Sequence, residues 1–257
     1  LTTFERRNRL LSILREQPGI RVPDVARMLD VSEGTIRNDM NALADSGQLM
    51  RVWGGAVPLE AVEEQVPAYA ARARMNQSSK SEIARAAARL VSDGDSILLD
   101  ASTTVFSLAG YLQERRGLTV VTNGIEVGRE LARNTSNVVV LLGGILRPDG
   151  TAVTRPGTET LLKDLHIKTA FVSSSGFSLE AGLTEADFHE ALFKRAMIDS
   201  AGLLVALIDS SKFGRVDLTP FAGVERLGRL FTDNRLSPEW AEKLERAGIQ
   251  YTLCGEA

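Results

Sequence analysis

Five short runs in this chain carry residue types suited to small anionic or hydroxylated ligands. The first, Asp100-Ala101-Ser102-Thr103-Thr104, follows the apolar run Ile97-Leu98-Leu99. Hydroxyls and unpaired backbone amides at a helix start form an anion site, and phosphate is the natural guest. Thr122-Asn123-Gly124 follows Val120-Val121 in the same way, and Gly143-Gly144 ends the run from Val138, where backbone can approach a ligand closely. Ser173-Ser174-Ser175-Gly176 and Asp209-Ser210-Ser211-Lys212 repeat the pattern after two further apolar runs. If each run is a parallel strand, all five segments lie along one sheet edge and converge on one crevice. There Ser102, Thr103 and Thr104 suit a phosphate, and Asp100, Asn123 and Asp209 suit hydroxyls. Lys212 suits an anionic oxygen, and Thr122, Gly143, Gly144 and Ser174 complete the wall.

A second set lies near the start of the chain. With Ile36 as reference, Met40 and Leu43 fall within roughly 40° on a helical projection, whereas Arg37, Asn38 and Asn41 lie on the opposite face. Arginine and asparagine match guanine and adenine edges bidentately in the DNA major groove, and Ser32 and Thr35 at the helix start suit phosphate oxygens. Arg51, beside Gly54-Gly55, is placed to reach a neighbouring phosphate or the minor groove. Asp39 and Asp45 on the same segment weigh against DNA.

Each feature also has a plainer reading. Ser-Thr-Thr after a strand is often a helix cap, Asn123-Gly124 a turn, and Asp209 with Lys212 a surface pair; recurrence at successive strand ends is what favours a site. Glu185 and Asp187 read equally as acceptors for ligand hydroxyls or as a solvated loop. His189 and Lys194 read as surface positions of an amphipathic helix, and His166 as structural. An enzyme using Glu185 or Asp209 as base is the competing reading; against it, no second acid or base is paired with a positioned electrophile.

The elements that would hold these residues follow from periodicity. Phe4, Leu10, Leu11, Ile13 and Leu14 make a helical stripe stopped by Gln17-Pro18-Gly19. Pro23 to Leu29 gives a second helix, and Ser32 caps a third that runs to about Ser46, before Gly47. Leu49 to Trp53 and Ala56 to Pro58 read as two strands around a glycine turn, so residues 1–57 have a winged helix-turn-helix plan. Residues 58–79 read as a linker, partly helical. Residues 80–257 alternate helix and strand, and continuous apolar strands such as Leu203 to Ile208 require helices on both faces of a largely parallel sheet.

Composition sets the outer limits. The 257 residues are 44% hydrophobic and 25% charged, as in ordinary globular chains, which disfavours disorder. The net charge of −3 conceals a split: residues 1–57 carry eight basic against seven acidic groups and the remainder 22 against 26. A DNA reading therefore rests on where the arginines lie rather than on bulk charge. One cysteine and two histidines provide neither an intrachain disulfide nor a zinc constellation, so no metal or cofactor is expected. With no long apolar stretch and a polar, arginine-bearing start, a cytoplasmic protein is expected.

The segments Val31-Ser32-Glu33-Gly34-Thr35-Ile36-Arg37-Asn38-Asp39 and Arg51-Val52-Trp53-Gly54-Gly55-Ala56 resemble the amino-terminal winged helix of the DeoR family of bacterial sugar-responsive repressors. Lys80-Ser81-Glu82-Ile83-Ala84, Leu99 to Thr104, Val121-Thr122-Asn123, Leu142-Gly143-Gly144, Lys194 to Ile198 and Asp209 to Gly214 are similar, in order and spacing, to that family's effector domain. The resemblance implies a fold like ribose-5-phosphate isomerase and coenzyme A transferases. It also implies a repressor of carbohydrate genes, released from double-stranded operator DNA by a phosphorylated sugar. Family members usually carry Arg-Arg-Asp-Leu at Arg37 to Met40, and glycine at Ser102 and Ser173. Two recognition helices per operator imply a homo-oligomer, dimer or tetramer.

Overall fold

The computed structural model describes residues 2–17, 20–45, 49–52, 55–58, 69–154, 162 and 165–255. Gly47, Trp53, Gly54 and residues 59–68 of the linker stretch lie outside the described residues, as does the side chain of Arg51. The chain divides into two compact units, residues 1–67 and 68–257.

The first unit holds α1 (Thr3–Glu16), α2 (Val22–Leu29), α3 (Glu33–Asp45) and the antiparallel pair β1 (Leu49–Val52) and β2 (Gly55–Pro58). Local chemistry sets each start. Thr2 and Glu5 form a reciprocal capping box, with Glu5 N donating to Thr2 Oγ1 at 3.2 Å and Thr2 N to Glu5 Oε2 at 2.8 Å. Pro23 occupies the first turn of α2, and Asp30 ends it with φ 51°. Thr35 N donates to Ser32 Oγ at 3.1 Å, which starts α3. Leu10, Leu14, Val25, Leu29, Ile36, Met40, Leu43 and Leu49 form the core, whereas Phe4, expected in the stripe, is exposed.

Asp39 turns out to be buried. Its carboxylate accepts from Arg6 Nε at 2.6 Å and Arg7 Nε at 2.9 Å, tying α3 to α1. Burial pushes the carboxyl pKa up, but the hydrogen bonds and charges of Arg6 and Arg7 outweigh it and leave it below the usual range. Its negative charge is thus neutralised inside the unit, which removes the objection it raised against DNA. Asp39→Ala should destabilise this unit by removing the anion that both arginines bond, and by less than breaking a fully buried pair does, because both arginines keep access to solvent. The check is amide exchange across α1 and α3, which should accelerate while the second unit is unchanged.

The second unit is α/β. A seven-stranded parallel sheet runs in the order β14-β13-β11-β8-β3-β4-β5, formed by β3 (Ser96–Leu99), β4 (Thr119–Thr122), β5 (Val138–Leu141), β8 (Ile167–Val172), β11 (Ala201–Leu207), β13 (Arg229–Asp233) and β14 (Tyr251–Cys254). Both faces are covered, and strand alternation divides the core. Ile97, Leu99, Val120, Val205 and Leu207 pack with Ile83 and Ala87 of α5 (Gln77–Ala87), Val105 and Leu108 of α6 (Thr103–Tyr111) and Leu131 of α7 (Ile125–Leu131). Leu98, Val121, Ala170, Val172, Leu204 and Ala206 pack with Met197 and Ile198 of α8 (Phe188–Asp199) and Leu244 of α9 (Pro238–Arg246). This alternation is why the strands read as continuous apolar runs.

Two smaller sheets were not evident from the sequence: β6 (Ile145–Leu146) with β7 (Val153–Thr154), and β9 (Gly176–Ser178), β10 (Gly182–Glu185) and β12 (Thr219–Ala222). The linker reading also needs correction. Residues 69–79 belong to the second unit, with a short helix α4 (Tyr69–Arg74) and the start of α5, where Ser79 is buried. Among the described residues no helix is long and apolar enough to cross a membrane, and no acidic, histidine and cysteine group could hold a metal ion.

Candidate functional site

In the parallel sheet the carboxyl ends of the strands form one row, and the winding direction reverses between β3 and β8. Ligands in open α/β sheets bind at such a reversal. Asp100 and Ser173 follow the two strands there. Asp100 is fully buried; it accepts from Ser102 N at 2.9 Å and Ser173 N at 2.8 Å, so one carboxylate shapes both loops. It is a positioning group with its oxygens engaged, not the free sugar acceptor expected from sequence.

Ser102 caps α6, accepting from Val105 N at 3.2 Å, and Thr103 and Thr104 are buried in its first turn. The cap reading of this run therefore holds. The next loop meets this one closely: a Cβ on Gly124 would lie 3.1 Å from Ala101 Cα, so glycine is what lets the loops touch. Thr122 Oγ1 accepts from Gly124 N at 3.0 Å, and Asn123 Nδ2 donates to Val153 O at 3.2 Å. Asn123 Oδ1, and Ser174 Oγ after β8, are buried without a hydrogen-bond partner among the described residues. Gly143 and Gly144 are exposed. They follow β5, four strand spacings from the Asp209 loop, or roughly 19 Å at about 4.8 Å each, so they form the rim of the row.

Lys194 overturns its surface reading. It is 2% exposed and donates to Glu185 Oε2 at 2.7 Å and Ser173 O at 2.8 Å, with Asp100 Oδ2 at 3.1 Å and Glu190 Oε1 at 3.6 Å. Burial works against the ammonium, but Asp100, Glu185 and Glu190 together hold its pKa far above the ordinary value. Burial raises the Glu185 pKa against the pull of Lys194. At Glu190 burial is outweighed by Lys194, Arg72 and Arg147, and the pKa falls. The signal was present: Glu190, Ala191, Lys194, Met197 and Ile198 share one helical stripe, and a lysine amid apolar stripe positions must find acids. Asp187, given as a ligand acceptor or a solvated residue, caps α8 through Glu190 N at 2.9 Å and pairs with Arg147 of the β6–β7 hairpin. His166 is exposed, its carbonyl accepting from Ser96 Oγ at 3.4 Å, and His189 is half-buried with its ring edge against Phe188.

Asp209 is buried and accepts from Asn76 Nδ2 at 3.0 Å and Ser211 N at 3.1 Å. Lys212 is half-buried, and its charge reaches Lys80. Both carboxylates of the competing enzyme reading, Glu185 and Asp209, thus have fixed partners. The sequence reading missed Asn76 and Lys80 as site neighbours, the first because it lay in the assigned linker.

In the first unit, Ser32, Arg37, Asn38 and Asn41 are exposed and Thr35 is half-buried. Arg37 pairs with Glu33 at 2.8 Å on the surface, a contact weak enough to exchange.

Residues 6–62 match the DeoR-like helix-turn-helix domain, and residues 75–234 match the DeoR C terminal sensor domain. The chain belongs to the DeoR family. Among relatives of this DeoR-family protein, the HTH-type transcriptional regulator GolR of Listeria innocua is 36% identical over 246 residues, 96% of each chain. The HTH-type transcriptional repressor GlcR of Bacillus subtilis is 31% identical over 246 residues, 96% of this chain and 94% of its own. The solved ribose 5-phosphate isomerase of Plasmodium falciparum overlaps 53% of this chain and 52% of its own, at 16% identity and TM-score 0.40. The DeoR-family protein described here is accordingly a helix-turn-helix transcriptional regulator with a carboxyl-terminal sensor domain.

Proposed function

We propose that this regulator represses carbohydrate-metabolism genes and leaves its operator when a phosphorylated sugar enters the crevice at the β3/β8 reversal. The observation that carries the reading is the pair of unsatisfied buried atoms, Asn123 Oδ1 and Ser174 Oγ, flanking the hydroxyl-bearing first turn of α6. Buried polar groups are nearly always paired, and a polyhydroxylated ligand supplies partners for both. Thr103 and Thr104 with the first amides of α6 take the phosphate; Lys212 adds charge from two strands away. In the first unit Arg37, Asn38 and Asn41 read bases, while Ser32, Thr35 and Arg51 contact the DNA backbone. A homo-oligomer supplies the second recognition helix.

Linkage supplies the mechanism. An inducer that favours the DNA-incompetent arrangement weakens operator affinity by the same coupling factor. The test is a thermal-shift screen of pentose and hexose phosphates followed by operator release. At about 100 times its dissociation constant a true ligand adds ~2.7 kcal/mol of stability. Thr103→Val should lower ligand affinity and spare operator binding; release at an unchanged ligand concentration would remove this loop from the site. Arg37→Ala should cost about 1–3 kcal/mol on the cognate operator and relax discrimination at one base pair. Equal losses on specific and random DNA would make Arg37 a backbone contact.

A further inference from the structure

The seven-stranded sheet ends on two edge strands, β5 and β14. Val138 N donates to Leu118 O and Leu142 N to Thr122 O, both at 2.8 Å, so the even-numbered residues of β5 bond inward to β4. By alternation the amides and carbonyls of Val139 and Leu141 point outward, and among the described residues nothing pairs with them. Natural edges are blunted by charge, proline or a bulge. This one is not: Thr135 to Leu146 holds no charged residue and no proline, the β4–β5 register is regular, and Val138, Leu141, Ile145 and Leu146 are all exposed. The opposite edge differs, since Tyr251 Oη donates to Glu245 Oε1 at 3.2 Å and brings a carboxylate to β14. Val139 and Leu141 turn toward α7; a Cβ on Gly128 would lie 3.7 Å from Leu141 Cδ1 and 3.8 Å from Val139 Cγ1. Along α7 and just past its end the charges alternate in sign, with Arg129 on Glu126 at 2.9 Å and Arg133 on Glu130 at 2.8 Å.

We propose that the β5 edge is where a second copy of this chain docks, its β5 lying antiparallel against the first across a twofold axis. This rests on the homo-oligomer reading above and gives it a surface. A closed dimer needs a self-complementary patch, because the same surface of each copy meets the other. An uncharged strip satisfies that, where a strip of one sign would set like against like. With the axis perpendicular to the sheet through Val140, Val139 of each copy stands opposite Leu141 of the other. Their outward amides and carbonyls then pair, and the side chains brought together are apolar. The alternating charges of α7 beside the strip let acid meet base across the axis. The run also continues into the β6–β7 hairpin that holds the crevice loop: Leu146 pairs with Val153, whose carbonyl accepts from Asn123 Nδ2 at 3.2 Å and whose amide donates to Asn123 O at 2.9 Å.

The experiment uses the full chain without DNA, read by sedimentation equilibrium and by amide exchange over a dilution series. Wild type should sediment as a dimer or a multiple of one. Its Val139 and Leu141 amides should be protected and lose that protection as the copies separate, while Val138 and Val140, bonded to β4, keep theirs. Leu141→Lys puts an ammonium on the apolar contact in both copies and should weaken association at least about tenfold. Leu141→Pro removes an outward donor and no bond to β4, and should weaken association as well. Leu253→Lys, on the β14 edge, should associate as wild type does. Wild-type association that both β5 variants retain, or that Leu253→Lys abolishes instead, overturns the proposal and leaves the homo-oligomer reading intact. An associated wild type whose Val139 and Leu141 amides exchange unprotected overturns it without recourse to any variant, so a variant that fails to fold leaves the question decidable. A wild type that stays monomeric at concentrations that fill the operator overturns both the proposal and the homo-oligomer reading.

Discussion

Lys194→Met should leave the sensor unit barely folded at neutral pH. The ammonium is the counter-ion shared by Asp100, Glu185 and Glu190, all buried, and its removal strands negative charge in an enclosed site. Breaking such a cluster costs about 3–5 kcal/mol, a large part of the roughly 5–15 kcal/mol that stabilises a domain. The pH dependence carries the signature. Burial already raises the Glu185 pKa, and without Lys194 it must rise further. A carboxyl whose folded pKa exceeds its unfolded value binds more protons when folded, so the variant loses stability as pH rises through that pKa and regains it on acidification. Urea unfolding followed by Trp240 fluorescence, in a Trp53→Phe background, should give a higher midpoint at pH 5.5 than at pH 7.5. The double variant Lys194→Met with Glu185→Gln should recover part of the loss. A single variant as stable as wild type at both pH values would mean that the carboxylates are solvated.

Effector binding should weaken as pH rises from about 7.5 to 9. Burial pushes the Lys80 ammonium down to about 8; Asp209 opposes this, while Lys212 and Arg72 reinforce it. A phosphate monoester has its second pKa near 6 and is a dianion throughout this window, so the change belongs to the protein. A bound dianion restores the Lys80 proton. Affinity should then approach a fall of about tenfold per pH unit above 8, and binding should take up protons. Titration calorimetry in buffers of different ionisation enthalpy measures that uptake, and Lys80→Gln should flatten the profile. Ligand-free stability should move the other way: the folded Lys80 pKa lies below its unfolded value, so the protonated form is penalised and stability rises as pH climbs from 7 toward 10. A flat affinity profile in wild type would place Lys80 outside the reach of the ligand's charge.

The sheet was legible because its strands are buried on both faces. Leu203 to Ile208 alternates between the two cores, so every residue is apolar and the run stands out. Recurring polar strand ends gave the loops at Asp100, Thr122 and Ser173. What stayed hidden depended on partners distant in the chain. Lys194 resembles any helical lysine until its stripe is drawn, and Asp39 resembles a solvated acid until Arg6 and Arg7 fold over it. The β9–β10–β12 sheet lacked a regular alternation; glycine serves there as a contact, since a Cβ on Gly182 would meet Ala222 O at 2.1 Å with φ +68°. Helix α4 was hidden because six residues carry too few turns to show a period.

The reversal between β3 and β8 also sets the order of synthesis against the order of assembly. Ile97 pairs with Thr169 and Asp100 binds a backbone amide 73 residues further along. Until that stretch has left the ribosome, β3 presents an open apolar edge, with β4 and β5 on its other side and no neighbour where β8 will insert. Such edges template association between chains, and distant pairings form slowly. The centre of the sheet, where the ligand crevice lies, therefore cannot close until β8 has emerged, and the nascent chain carries that exposed edge through the synthesis of some 70 residues.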